Sequence, residues 1–109
     1  MTHFEVFILP SAERDIGDAY EWSAERDEAA ANRWFNRLAE VMRSLETFPD
    51  RAPLAPVSKF LHREIRELFH GRRHDKYRIL FAVEEQAVYL LHVRHGARLP
   101  LGEVAAAGD

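Results

Sequence analysis

The sequence predicts an α+β domain of order β-α-α-β-β-β, with an antiparallel helix pair packed on one face of a small, mainly antiparallel sheet. Three observations carry this. Thr2 to Leu9 (THFEVFIL) alternates as a strand does, with Phe4, Val6 and Ile8 on one face. Two amphipathic helical stripes follow it. Two apolar runs rich in β-branched and aromatic residues, Tyr77 to Val83 and Ala87 to Val93, then flank a short polar link, Glu84-Glu85-Gln86, as in an antiparallel hairpin.

Each element has its own signals. Pro10 ends the first strand, and Ser11 is placed to cap the helix behind it. Ala12, Ile16, Ala19 and Tyr20 form the buried stripe of that helix, which ends near Ala24; Glu13, Asp15, Asp18 and Glu21 make its other side a solvated acidic face. Asp27 can cap a second helix running from Glu28 to about Phe48. Ala31, Trp34, Phe35, Leu38, Val41, Met42, Leu45 and Phe48 supply its apolar stripe, and Trp34 and Phe35 are read as packing residues, not a base-stacking platform. Pro49, Pro53 and Pro56 then fix φ and remove donors, which predicts a stiff, extended connector. Arg63 to Phe69 is assigned as the strand that partners the hairpin, and His70 to Asp75 as the turn between them. The face of the sheet away from the helices is expected to be open.

Length and composition bound the rest. With 109 residues, 47% hydrophobic and 30% charged, the chain has material for one core and no room for a second. We expect a single domain over residues 1–98 and a flexible tail over 99–109. No apolar run reaches the ~20 residues of a spanning helix, and the N-terminus lacks the order of a signal peptide, so a cytoplasmic protein is expected. The absence of cysteine excludes disulfides, thiolate catalysis and cysteine-based zinc sites. His70 and His74, four apart in a loop with no carboxylate cluster, are a poor metal site, and no cofactor is expected.

The formal charge of -3 hides an asymmetry. Residues 1 to 58 carry six arginines against eleven acidic residues, whereas residues 60 to 98 carry eight lysines or arginines against five. Five of the six histidines fall between His62 and His95. A local basic field of this kind attracts phosphate even on an acidic domain, although the acidic half argues against general nucleic-acid affinity. Any chemistry should therefore be sought between Arg63 and Arg98.

Several motifs in this order resemble the RelE/ParE toxin superfamily: Pro10-x-Ala12-x-x-Asp15-Ile16 at the start of the first helix, Phe48-Pro49 after the second, and Arg66-x-Leu68. The strand Tyr77-Arg78-Ile79-Leu80-Phe81 and the terminal Val93-Arg94-His95-Gly96-Ala97-Arg98 complete the set. The resemblance covers about Thr2 to Arg98 and implies a type II toxin neutralised by a cognate antitoxin that wraps around it. RelE-like members are ribosome-dependent endonucleases that cut mRNA, whereas ParE-like members inhibit DNA gyrase.

If the chain is RelE-like, the resemblance makes Arg78 the phosphate-stabilising residue and His95 the acid or base, with Arg66, Arg94 and Arg98 as phosphate or target contacts. RNA cleavage by the 2′-hydroxyl needs such a set: a group to deprotonate the nucleophile, cations for the strained phosphate and an acid for the leaving oxygen. The lysine cluster of RelE-like nucleases is thin here, with only Lys59 and Lys76, and no tyrosine follows the last strand. The balance leans toward ParE-like gyrase inhibition. The alternatives are the nuclease and a degenerate, non-toxic member that keeps antitoxin binding. Strand alternation adds a constraint, since at most one of Arg94 and His95 can share a face with Arg78. The purely structural alternatives are an ion pair of Arg78 with Glu64 or Glu67, a packed His92, and a His95 that only ends its strand.

Overall fold

A computed structural model describes residues 3–71 and 76–95. The expected turn residues Arg72 to Asp75, together with Arg98 and the 99–109 tail, lie outside the described residues. The elements are β1 (Glu5–Ile8), α1 (Pro10–Ala24), α2 (Glu28–Ser44), a 3₁₀ turn (Pro49–Arg51), α3 (Ser58–Leu61), β2 (Arg66–His70), β3 (Tyr77–Glu84) and β4 (Ala87–His95).

The strands form one sheet in the order β1-β4-β3-β2. β3 pairs antiparallel with both β2 and β4, and β1 alone is parallel, to β4. This is the α+β arrangement that the sequence predicts. The hairpin closes between Glu84 and Ala87, so the link is the two residues Glu85 and Gln86. Glu85 takes φ 56°, the left-handed conformation that two-residue hairpin turns need at their first position. A register shift between Leu80 and Phe81 marks a β-bulge, with Leu91 as the extra residue of β4.

Two apolar clusters hold the sheet. On the helix side, Ala12 and Ile16 of α1 and Leu38 and Met42 of α2, with Leu45 just beyond it, pack on Ile79, Phe81, Val88, Leu90 and Val93. Asp27 caps α2 as expected, accepting from the Ala30 amide at 3.1 Å. Tyr20 and Phe35 join the two helices edge to face, with ring centroids 6.3 Å apart. Trp34 lies against Tyr77, centroids 5.0 Å apart, in keeping with its reading as a packing residue, whereas Phe35 stays 40% exposed.

The second face is not open. Ala55, Val57 and Leu61 cover Ile65, Leu80, Ala82 and Leu91 there. The connector does this by folding: it contains the 3₁₀ turn and α3, so it is not uniformly extended. Its prolines punctuate it, but the need to cover apolar residues on both faces of a central hairpin bends it back over the sheet. Ser58 Oγ fixes the fold-back by bonding both the amide and the carbonyl of Ile65, at 2.9 and 2.8 Å. The strand expected from Arg63 starts only at Arg66, because Ile65 is engaged in this contact.

Ser11 is not the helix cap. The helix begins at Pro10, and Leu9 occupies the capping position without a side-chain bond. α2 ends at Ser44 and not near Phe48. No helix among the described residues is long and apolar enough to cross a membrane.

Candidate functional site

β4 outruns β1. The parallel ladder stops at Ile8 and Leu90, where Pro10 turns the chain into α1, and the edge of β4 beyond that point would be bare. Two side chains one helical turn apart replace the missing strand. Ser11 Oγ donates to the Leu91 carbonyl at 2.6 Å, and Asp15 accepts from the Val93 amide at 3.1 Å. The i, i+4 spacing places both on the side of α1 that lies along β4.

Asp15 does more than close the ladder. Its Oδ2 lies 2.7 Å from His92 Nδ1 and its Oδ1 accepts from Arg94 Nε at 3.0 Å. Because a carboxylate only accepts, this geometry puts the proton of His92 on Nδ1. Asp15 and His92 are both buried, with side chains 8% and 6% exposed, so each is held by the other in a dry setting. His92 is thus a packed residue, locked to α1. Sequence reasoning placed Asp15 on a solvated acidic face; its partners lie 77 to 79 positions away. The available signal was the polar Ser11/Asp15 pair directly beside the apolar Ala12/Ile16 stripe.

Arg78 and Arg94 stand directly opposite each other across β3 and β4. Like charges in that position repel, and each arginine has its own carboxylate to offset this. Glu67 Oε1 lies 3.4 Å from Arg78 Nε, and Asp15 holds Arg94. The Arg78–Glu67 pair is an ion pair without hydrogen-bond geometry, as both atoms are buried and neither makes a hydrogen bond. The Arg78 guanidinium also lies over the Phe69 ring, 5.5 Å from its centroid.

His95 pairs with Tyr77, one step along from Arg78, and their rings meet edge to face at 5.5 Å. Tyr77 packs on Trp34 of α2, so this pair is on the helix face. By alternation, Arg78 and Arg94 project to the other face. Of the residues singled out in the sequence, Arg78 and Arg94 come together, and His95 is separated from Arg78 by the sheet.

Arg66 is engaged elsewhere. Its Nη1 donates to the Ala52 carbonyl at 2.6 Å, with Asp50 and Glu64 oxygens 3.7 and 3.9 Å from its other nitrogens, which ties the connector to β2. Arg98 lies outside the described residues. Among those residues there is no cluster of three or more potential metal ligands.

His70, expected in the turn, ends β2 and is buried beside Trp34, ring centroids 6.4 Å apart. Burial pushes its pKa below the ordinary 6.5, the Arg37 charge adds to that, and a backbone contact with Trp34 opposes it.

The family described as "ParE toxin of type II toxin-antitoxin system, parDE" matches residues 6–100, nearly the whole chain. The chain belongs to the ParE toxin family. The fold agrees: a ParE-family chain of this kind is similar to a chain in the solved structure titled "Chromosomal ParDE TA system from P. aeruginosa". That likeness has a TM-score of 0.67 at 13% identity and covers 85% of this chain and 96% of the other. No curated protein matches this ParE-family chain by sequence. The RelE/ParE resemblance seen in the sequence motifs is therefore borne out at the level of family and fold.

Proposed function

We propose that this ParE-family toxin arrests bacterial growth in the cytoplasm by inhibiting DNA gyrase, without cutting RNA, and is neutralised by a cognate antitoxin encoded beside it. The observation that carries the non-nuclease reading is the placement of Arg78 and His95 on opposite faces of the sheet. In-line attack by a 2′-hydroxyl needs its base, its acid and its phosphate-binding cation around one phosphorus atom. A histidine and an arginine divided by a packed sheet cannot converge in that way. The two arginines that do share a face are each engaged by a carboxylate, which lowers what they offer a phosphate. The ParE family match supports the antitoxin and the gyrase side of the reading.

The test is induced expression without a partner in a bacterial host, following protein synthesis, message integrity and DNA supercoiling over minutes. Failing supercoiling and DNA-damage signalling with intact messages is the expected result. Cleaved messages with an early halt in translation would establish the RelE-like nuclease instead. Unimpaired growth, with folded protein present, would mean a member that keeps only the fold and antitoxin binding.

A further inference from the structure

A groove of about 550 Å³ opens where β4 runs past α1, and the gyrase reading assigns it no role. Asp18, Ala19 and Trp22 of α1 form one side, and Tyr77, Val93 and His95 form the other, with Asp15 and Arg94 also lining it. Trp22 is 57% exposed, an indole of large apolar area left in water. The charges in the groove do not balance. Arg94 is offset by Asp15, whereas Asp18 is exposed and has no hydrogen-bond or ion-pair partner among the described residues. Glu21 and Glu25, both exposed, extend the negative field along the same helix.

The Trp22 ring already receives one cation, since the Arg26 guanidinium lies 3.7 Å from its centroid. Trp22 lines the groove and Arg26 does not. An aromatic wall beside an uncompensated carboxylate selects a cationic side chain with an apolar stem. We propose that this groove seats an arginine or lysine of the cognate antitoxin, its charged head against Asp18 and its stem along Trp22 and Tyr77. The proposal rests on the antitoxin part of the proposed function and is independent of gyrase.

The experiment measures affinity of the full chain for the antitoxin encoded beside it, with Asp18→Arg and Trp22→Ala variants whose folding is checked by thermal melting. Both residues are exposed on α1, so both variants should fold. Each is expected to weaken binding about tenfold or more. Changing the antitoxin's lysines and arginines to glutamate one at a time should yield one change that restores binding to Asp18→Arg. Unchanged affinity in either variant, or the absence of any restoring charge swap, overturns the proposal. So does intact antitoxin affinity with lost growth arrest, which would assign the groove to the toxin's target. A failure of gyrase inhibition alone would sink the proposed target and leave this inference standing.

Discussion

Asp15 and His92, 77 positions apart, meet at 2.7 Å through side chains that are both more than nine-tenths buried. Together with the Val93 amide and Arg94, they make the Asp15 carboxylate the clasp between α1 and the free edge of β4. Asp15→Ala leaves a buried amide and a buried imidazole N–H without an acceptor and Arg94 without its carboxylate. We expect a loss of ~3–5 kcal/mol, read by urea unfolding. Ser11→Ala, which removes one bond to the Leu91 carbonyl, should cost only about 1 kcal/mol. A loss below about 1 kcal/mol for Asp15→Ala would show that the clasp does not hold the edge.

The Arg78–Glu67 pair is close but poorly aligned, and Glu67 is the more buried partner, 13% exposed against 31%. Arg78→Met alone leaves a carboxylate with little water and no cation, at a cost of about 1–2 kcal/mol. The double variant Glu67→Leu/Arg78→Met removes both charges and should return to within about 1 kcal/mol of the parent. Under the gyrase reading it should also still arrest growth. Loss of toxicity in a stable double variant would restore Arg78 as an active-site residue.

His70 makes stability depend on pH in a definite direction. Its folded pKa lies below the ordinary 6.5 because burial disfavours the charged ring, so between the two values the unfolded chain binds more protons. Its contribution is fully present above 6.5 and is lost as pH falls through the lowered folded value. Urea unfolding at pH 7.5 and pH 5.5 should show a smaller loss on acidification for His70→Phe than for the parent. An equal loss would place the pH dependence on other groups.

Glu85 holds a left-handed φ of 56° at the tip of the β3–β4 hairpin, a conformation that costs a non-glycine residue about 1 kcal/mol. Glu85→Gly relieves this and, net of the added freedom of the unfolded chain, should stabilise by no more than ~0.5 kcal/mol, seen as a slightly higher urea midpoint. Destabilisation would mean that the Glu85 side chain makes a contribution larger than the strain.

Much of the fold is legible in the residues. The β1 strand, the Asp27 cap, the Ala12/Ile16 and Ala31/Leu38/Met42 core positions of α1 and α2 and the YRILFAV/AVYLLHV hairpin each depend on neighbours within a turn or a strand and fold as their local pattern implies, whereas Ile8, Phe35 and Phe48 stay exposed. The site is less legible. Arg78, Arg94 and His95 stood out by type, and alternation alone allowed only one of the last two to join Arg78. Which one does is set by the Arg78–Arg94 register, which neither strand specifies by itself. Asp15 and Asp18 lie three apart on one helix and look alike as text; one is the buried clasp and the other faces an open groove.

The sequence by itself determined the order and kind of elements, the apolar core positions of each helix, the absence of cysteine chemistry and the likeness to a toxin family. These follow from local periodicity and composition. Only the tertiary structure decided that the connector folds over the second face, that α1 completes the edge of β4 with Ser11 and Asp15, and that the sheet divides Arg78 from His95. The reason is physical: satisfying a bare strand edge, covering an apolar face and pairing a charge all depend on which distant groups arrive alongside, and that is fixed only when the sheet closes.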